Sequence, residues 1–273
     1  TNFDTAHVLV PKGRDFGRAQ LWSAANALKL EGDLYVTGAS KGGAKTLIKD
    51  AEELLGFCNT VAYKKSHRIA ISQRPESFSY PAEWGADPTR MTHRTFNTPN
   101  GELEVGTMPG VFSWEELDDG TAYLLENMEF SEGETVLDVG CGVGLIGALA
   151  AKSASSVTMV DDNLLAVRCA QETVSINQLK NITVLASDVY SALEGQRFDR
   201  IVSNPPFHQK FDVNMQTAER IIEQAHEYLN PGGELWIVCN AFLKYEELLQ
   251  QEFRESGIVA QDNRYKVLRG ILS

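Results

Sequence analysis

Four polar side chains stand at the ends of successive apolar runs, and their types define the chemistry on offer. Asp138 lies in the run 135–139, Asp161 follows 156–160, Asp188 follows 182–186, and Asn204 follows 198–203. In an open parallel sheet the ligand sits beyond the carboxyl ends of the strands. Any one of these residues has a local explanation, because Asp and Asn favour caps and turns. Four of them at one sheet edge point to a nucleoside-like ligand. Asp161 comes 21 residues after Gly140, about the spacing at which a carboxylate grips ribose hydroxyls. Asp138 also opens the stretch Asp138-Val139-Gly140-Cys141-Gly142-Val143-Gly144. Its glycines allow a tight turn and let backbone N–H groups approach a ligand with no Cβ in the way.

The stretch Asn204-Pro205-Pro206-Phe207 decides between a dinucleotide and S-adenosylmethionine. Consecutive prolines fix the backbone and remove N–H donors, leaving carbonyls free as acceptors. The Asn204 side-chain oxygen and the Pro205 carbonyl can together accept both hydrogens of one planar NH2 group. Phe207 can stack on a flat ring. The set suits an exocyclic amine held with its lone pair aimed at an electrophilic methyl group. His208 is adjacent, but packing or an RNA contact suits it better than proton acceptance. Cys141 fits the turn as a small residue, not as a nucleophile. The histidines are scattered and the cysteines (Cys58, Cys141, Cys169, Cys239) form no CxxC pair, so neither a metal site nor a disulfide framework is expected.

The elements that position these residues follow from the apolar pattern. From Thr135 onward, strands are expected at 135–139, 156–160, 182–186, 198–203 and 233–239, and helices at 143–152, 163–176, 214–229 and 244–255. This alternation predicts a doubly wound, mostly parallel α/β sheet with helices on both faces. Residues 258–268 read as two strands around Asp262-Asn263, an antiparallel edge. Upstream, 117–129 reads as a helix and 95–105 as a hairpin turning at Asn100-Gly101. Residues 16–73 read as a smaller α/β unit, with a helix over 16–30 closed by Gly32, a strand at 34–36, a helix over 43–55, and strands at 57–63 and 68–72. Lys41-Gly42-Gly43-Ala44-Lys45-Thr46 lacks the spacing of a phosphate loop and reads as a helix start. The expected domains are 1–80, a linker with the hairpin's start at 81–100, and a catalytic domain over 101–273. No internal repeat is evident.

Composition narrows the partners. The net charge of −12 argues against a protein that coats nucleic acid by charge alone. The charge is uneven: residues 1–80 carry a net +3 and the remainder −15. A polyanion is therefore expected at the N-terminal segment, where Lys12, Arg14, Arg18, Lys64, Lys65 and Arg68 are candidate contacts, with ordinary surface charge an equal account of them. No apolar run approaches the ~20 residues needed to cross a bilayer, residues 1–11 lack signal-peptide features, and a cytoplasmic location is expected.

The glycine turn and Asn204-Pro205-Pro206-Phe207 together resemble the class I S-adenosylmethionine-dependent methyltransferases that act on amino groups. The likeness is closer still to the ribosomal RNA guanine-N2 methyltransferases, above all the small-subunit enzymes. It is carried by Pro109-Gly110-Val111-Phe112-Ser113, Leu117-Asp118-Asp119-Gly120-Thr121, the histidine in 204–208, 229–233, and Asn240-Ala241-Phe242-Leu243-Lys244-Tyr245, over roughly residues 90–270. The resemblance implies a Rossmann-like class I fold, S-adenosylmethionine as cofactor, and ribosomal RNA or the 30S subunit as partner. A monomer is expected, without metal or membrane. Gly140, Cys141, Gly142 and Gly144 would cradle the methionine end, with Asp138 beside them. Asp161 would bind the ribose and Asp188 the adenine amino group, with Asp162 and Val189 in the same set. Phe112, Ser113 and Thr121 would close over the cofactor, and Asn204, Pro205 and Phe207 would hold a flipped guanine. In that family the N-terminal domain resembles a degenerate methyltransferase copy that aids RNA binding. Residues 8–73 look like the latter part of such a copy, and the family's domain is usually longer. The rivals are the large-subunit enzyme, a protein glutamine-N5 methyltransferase (which typically has Tyr at the place of Phe207), a non-catalytic ribosome-assembly factor, and a dinucleotide oxidoreductase.

Overall fold

The computed structural model describes residues 3–206 and 212–273, without the side chains of 212–215, and its packing divides the chain into two units. One comprises residues 1–91 with 108–110, the other 92–107 with 111–273. Phe207 and His208, singled out from the sequence, lie outside the described residues.

In the first unit the elements are β1 (Phe3–Leu9), α1 (Arg14–Ala27), β2 (Leu28–Ala39), α2 (Ala44–Leu55), β3 (Asn59–Lys64) and β4 (His67–Gln73). The sheet order is β1-β2-β4-β3, with β1 parallel to β2 and the other pairs antiparallel. Leu47, Ala51 and Leu54 recur at helical spacing on α2 and bury one stripe against Leu34 and Val36 of the sheet. Lys41–Thr46 is the entry to α2, with Gly43 at φ 100° before its first residue.

The observed unit differs from the sequence reading at two places. β1 is an additional strand; only Val8 among Phe3–Leu9 is fully buried, so the strand lacks the alternation that would reveal it. The helix expected over 16–30 ends at Ala27, because Leu28 is already paired with Phe3 in the sheet. Gly32 does not close a helix. It sits in an irregularity of β2, where Glu31 takes φ 60° and Arg74 N–H donates to the Gly32 carbonyl at 3.0 Å.

The second unit opens with a hairpin, β5 (Thr92–Thr98) and β6 (Gly101–Thr107), followed by α3 (Asp119–Glu126). Thr98 pairs with Gly101, so the turn is Pro99-Asn100 and not Asn100-Gly101; Gly101, at φ 105°, is the first strand residue after it. Proline suits the first central position of such a turn, and glycine the left-handed position that follows. The remaining elements are β7 (Thr135–Val139), α4 (Leu145–Ala150), β8 (Ser156–Asp161), α5 (Leu164–Ile176), β9 (Ile182–Ala186), β10 (Phe198–Ser203), α6 (Asp212–Tyr228), β11 (Leu229–Asn240), α7 (Tyr245–Glu252), β12 (Glu255–Gln261) and β13 (Tyr265–Ile271). Their sheet runs β12-β13-β11-β10-β7-β8-β9. Strands β11 to β9 are parallel and β13 is antiparallel to both neighbours. This is the expected doubly wound α/β sheet with its antiparallel edge. Chain order reverses between β7 and β10, which makes their carboxyl ends the topological switch point.

The two units share a module, as the resemblance of residues 8–73 to the latter part of a methyltransferase copy implied. The succession β1-α1-β2-α2-β3-β4 matches β10-α6-β11-α7-β12-β13 in order, strand direction and irregularities. The register slips between Phe3 and Thr5 as it does between Phe198 and Arg200, and between Thr60 and Ala62 as between Ile258 and Ala260. Leu34, Tyr35 and Val36 thereby match Leu235, Trp236 and Ile237. On that register Asn204 corresponds to Leu9, so the first copy has no amide where the second carries its candidate amine acceptor.

Candidate functional site

At the switch point three glycines take left-handed backbone: Gly140 at φ 75°, Gly142 at 55° and Gly144 at 81°. Residues with a Cβ are strained there, and at Gly144 a Cβ would also come within 3.0 Å of the Ala170 Cα. The turn is tied to β8, with Gly140 and Cys141 N–H both donating to the Val160 carbonyl, at 2.8 and 3.0 Å. This brings Gly142 N–H to Asp161 Oδ2 at 2.9 Å, while Asp161 Oδ1 accepts from Asn163 N–H at 2.9 Å. A carboxylate has about four acceptor sites, so Asp161, half-buried at its strand end, keeps capacity for hydroxyl donors.

Asp138 lies beneath the turn and is 1% exposed. Its Oδ2 accepts from Gly147 N–H at 2.9 Å, and its Oδ1 is buried without a hydrogen-bond partner among the described residues. Burial pushes its carboxyl up to about 7; the nearby Asp161 charge adds to this and the Gly147 N–H opposes it. Burial also raises Asp161, against the bonds from Gly142 and Asn163. Two carboxylates short of compensation make a local demand for positive charge. Burial raises the Cys141 thiol well above its usual range, which suits a small packing residue and not a nucleophile.

Across the switch point, Asn204 leaves β10 half-buried and Pro205 is buried. Ser203 Oγ donates to the Val139 carbonyl at 2.8 Å and braces that exit against β7. Asn204 Nδ2 donates to Asp118 Oδ2 at 2.9 Å and to Thr121 Oγ1 at 2.8 Å. Asp118 is also the N-cap of α3, accepting from Thr121 N–H at 2.8 Å. Gly140, Cys141, Gly142, Phe112, Ser113, Thr121 and Asn204 thus line one cleft, which Phe96, Leu117, Asp118, Val143, Leu145 and Ile146 complete.

Other expected residues stand apart from that cleft. Asp188 is exposed at the end of β9, where its two oxygens accept from Arg220 at 3.0 and 3.1 Å; Val189 beside it is buried at φ 53°. Asp162 is exposed. In the first unit, Arg14 and Arg18 are committed to the buried Asp50 at 2.7 and 3.3 Å, and Arg18 covers the Trp84 ring, so these two candidates for RNA contact have structural partners.

Three participants were not singled out from the sequence. Phe96 arrives from the hairpin, whose register no local signal announces. Asp118 stands in the stretch 117–121 that carries the family resemblance, with no role assigned to it there. Thr173 of α5 is wholly buried, donates to the Val143 carbonyl at 2.7 Å and accepts from Gly106 N–H at 3.0 Å, binding the glycine turn to the hairpin. Among the described residues no cluster of His, Cys, Asp and Glu is arranged to hold a metal, and no helix is long and apolar enough to cross a membrane.

Known proteins were compared with this chain. Residues 102–269 match the methyltransferase small domain family. A ribosomal RNA small subunit methyltransferase C from Erwinia tasmaniensis is 35% identical over 273 residues, covering 99% of this chain and 76% of that protein. The protein of the same name from Mannheimia succiniciproducens is 44% identical over 243 residues, covering 86% and 68%. Among solved structures, the T. thermophilus 16S rRNA N2 G1207 methyltransferase in complex with AdoMet and guanosine superposes with a TM-score of 0.89 at 32% identity, covering 100% of this chain and 74% of that one. The chain belongs to the methyltransferase small domain family, among the relatives of ribosomal RNA small subunit methyltransferase C.

Proposed function

We propose that this protein transfers a methyl group from S-adenosylmethionine to the exocyclic N2 amine of a guanosine in small-subunit ribosomal RNA. The observation that carries the reading is the convergence of Asn204 and the glycine turn on one cleft at the switch point. The activity by which the relatives are named agrees with it.

The cleft fits the cofactor in charge and shape. Asp138, with an unpartnered buried oxygen, and Asp161 suit a ligand with a cationic end and ribose hydroxyls. Gly140 and Gly142 admit close approach because neither presents a side chain. When bound, S-adenosylmethionine supplies an electrophilic methyl group. The chain's own part is orientation: Asn204 Oδ1 and the Pro205 carbonyl accept the two N2 hydrogens, favour pyramidal geometry at that nitrogen and aim its lone pair. Phe207, by resemblance, would stack on the base. Apolar walls from Phe96, Val143 and Ile146 exclude water. The alkylated nitrogen is acidic enough to release its proton to solvent, so no dedicated base is required. In this reading the protein acts as a monomer in the cytoplasm, on ribosomal RNA or the assembled small subunit.

Methyl-labelled S-adenosylmethionine incubated with unmodified ribosomal subunits tests this, with Asn204→Ala in parallel. The expected product is labelled N2-methylguanosine in small-subunit RNA, absent with the variant. Label in protein, or no transfer despite tight cofactor binding, would overturn it in favour of the glutamine methyltransferase or the assembly factor.

A further inference from the structure

We propose that Asp118 and Thr121 are positioning residues that hold the Asn204 amide in the single orientation presenting its oxygen to the substrate amine. The inference rests on the function proposed above and deepens it. An Asn side chain is nearly symmetric in shape but not in chemistry: one end accepts and the other donates. Turned the wrong way, Asn204 would offer an NH2 group to an NH2 group.

The hydrogen-bond polarity around Asn204 forbids that turn. Asp118 Oδ2 lies 2.9 Å from Asn204 Nδ2, and an ionised carboxylate has no hydrogen to give. Thr121 Oγ1 lies 2.8 Å from the same nitrogen and 3.3 Å from Asp118 Oδ2. The Thr121 hydrogen therefore points to the carboxylate, and its lone pair is left for Asn204. Both amide hydrogens are committed, and a flip would set the Asn204 oxygen against two acceptors at once. A charge-assisted bond makes this bias stronger than a neutral pair would.

The clamp is rigid on both sides. Asp118 is fixed by capping α3 through Thr121 N–H, and Gly120 packs so closely that a Cβ would meet Asp118 Oδ2 at 3.0 Å and the Tyr265 ring at 3.2 Å. Arg264 holds the neighbouring Asp119 at 2.6 Å. Thr121 thus acts on the amide of Asn204 from within the cleft that it lines with the glycine turn.

Three variants test this: Asp118→Asn, which keeps a residue able to cap α3, Thr121→Val, which removes the hydroxyl at constant shape, and Thr121→Ser, which retains it. Steady-state kcat and KM on ribosomal RNA are measured together with S-adenosylmethionine affinity by calorimetry. Asp118→Asn and Thr121→Val are expected to lower kcat about tenfold or more, with cofactor affinity within about twofold of wild type. Thr121→Ser is expected to retain more activity than Thr121→Val. Unchanged kcat in both Asp118→Asn and Thr121→Val, or a loss of cofactor affinity that accounts for the whole fall in rate, would overturn the proposal. A wild-type protein that forms no N2-methylguanosine would instead defeat the functional reading, which separates the two failures.

Discussion

Asp138→Asn probes the charge built beneath the glycine turn. Asp138 is 1% exposed and its carboxyl is pushed up to about 7 by burial, from an ordinary value of 3.8. Between those values the unfolded chain releases the proton while the folded chain keeps it. The unfolded state therefore binds fewer protons, and stability must fall as pH rises through this window. From pH 5 to pH 8 the shift corresponds to a loss of about 2–3 kcal/mol from this one group. Asparagine cannot ionise and still accepts from Gly147 N–H, so the loss should be missing in the variant. A smaller slope of the same sign will remain, because burial also raises Asp161. The assay is urea unfolding of ligand-free wild type and Asp138→Asn at pH 5 and pH 8. A second readout is cofactor affinity: if Asp138 must ionise to meet a cationic group, wild-type binding weakens about tenfold per pH unit below 7, and the variant's does not. Parallel stability profiles for the two proteins would refute the account of Asp138.

Other substitutions examine the supports of the cleft. Gly144→Ala combines a left-handed φ of 81° with a backbone contact at 3.0 Å; a loss of about 2–3 kcal/mol in denaturant unfolding is expected, and wild-type stability would contradict the strain. Thr173→Val leaves Gly106 N–H and the Val143 carbonyl without the bonds Thr173 makes to them, which should cost about 2–4 kcal/mol and weaken cofactor binding; an unaltered melting profile would show that the bridge is idle. Arg220→Ala releases the Asp188 carboxylate from an exposed ion pair, so stability should change by less than about 1 kcal/mol. If Asp188 meets the adenine amine, calorimetry should show a severalfold tighter cofactor; no change would remove Asp188 from the binding set.

Legibility in the sequence followed the range of the interactions. Strands β7, β9 and β10 have the bounds expected from the sequence; β7 is the plainest, because a central strand buried on both faces is apolar along most of its length. The glycine turn was equally plain, since left-handed backbone is a local demand that glycine meets. These elements sufficed to bring Asp161 and Asn204 to one switch point, because parallel strands place successive carboxyl ends along the same edge.

What stayed hidden depends on partners distant in the chain. β1 and the early start of β2 exist because each supplies the other's hydrogen bonds, which no property of Phe3–Leu9 alone announces. The repeated module was expected only through the family resemblance; its register slips and strand directions needed the structure. Asn204 could be named from its prolines, but Asp118, which sets its orientation, lies 86 residues earlier, and the motif that contains it does not say that it meets Asn204. The residue types and spacing determined the glycine turn and the carboxylate and amide that follow the strand ends. The tertiary structure alone decided which way the accepting amide faces and which carboxylate is buried, because hydrogen-bond polarity and desolvation arise only when distant segments meet.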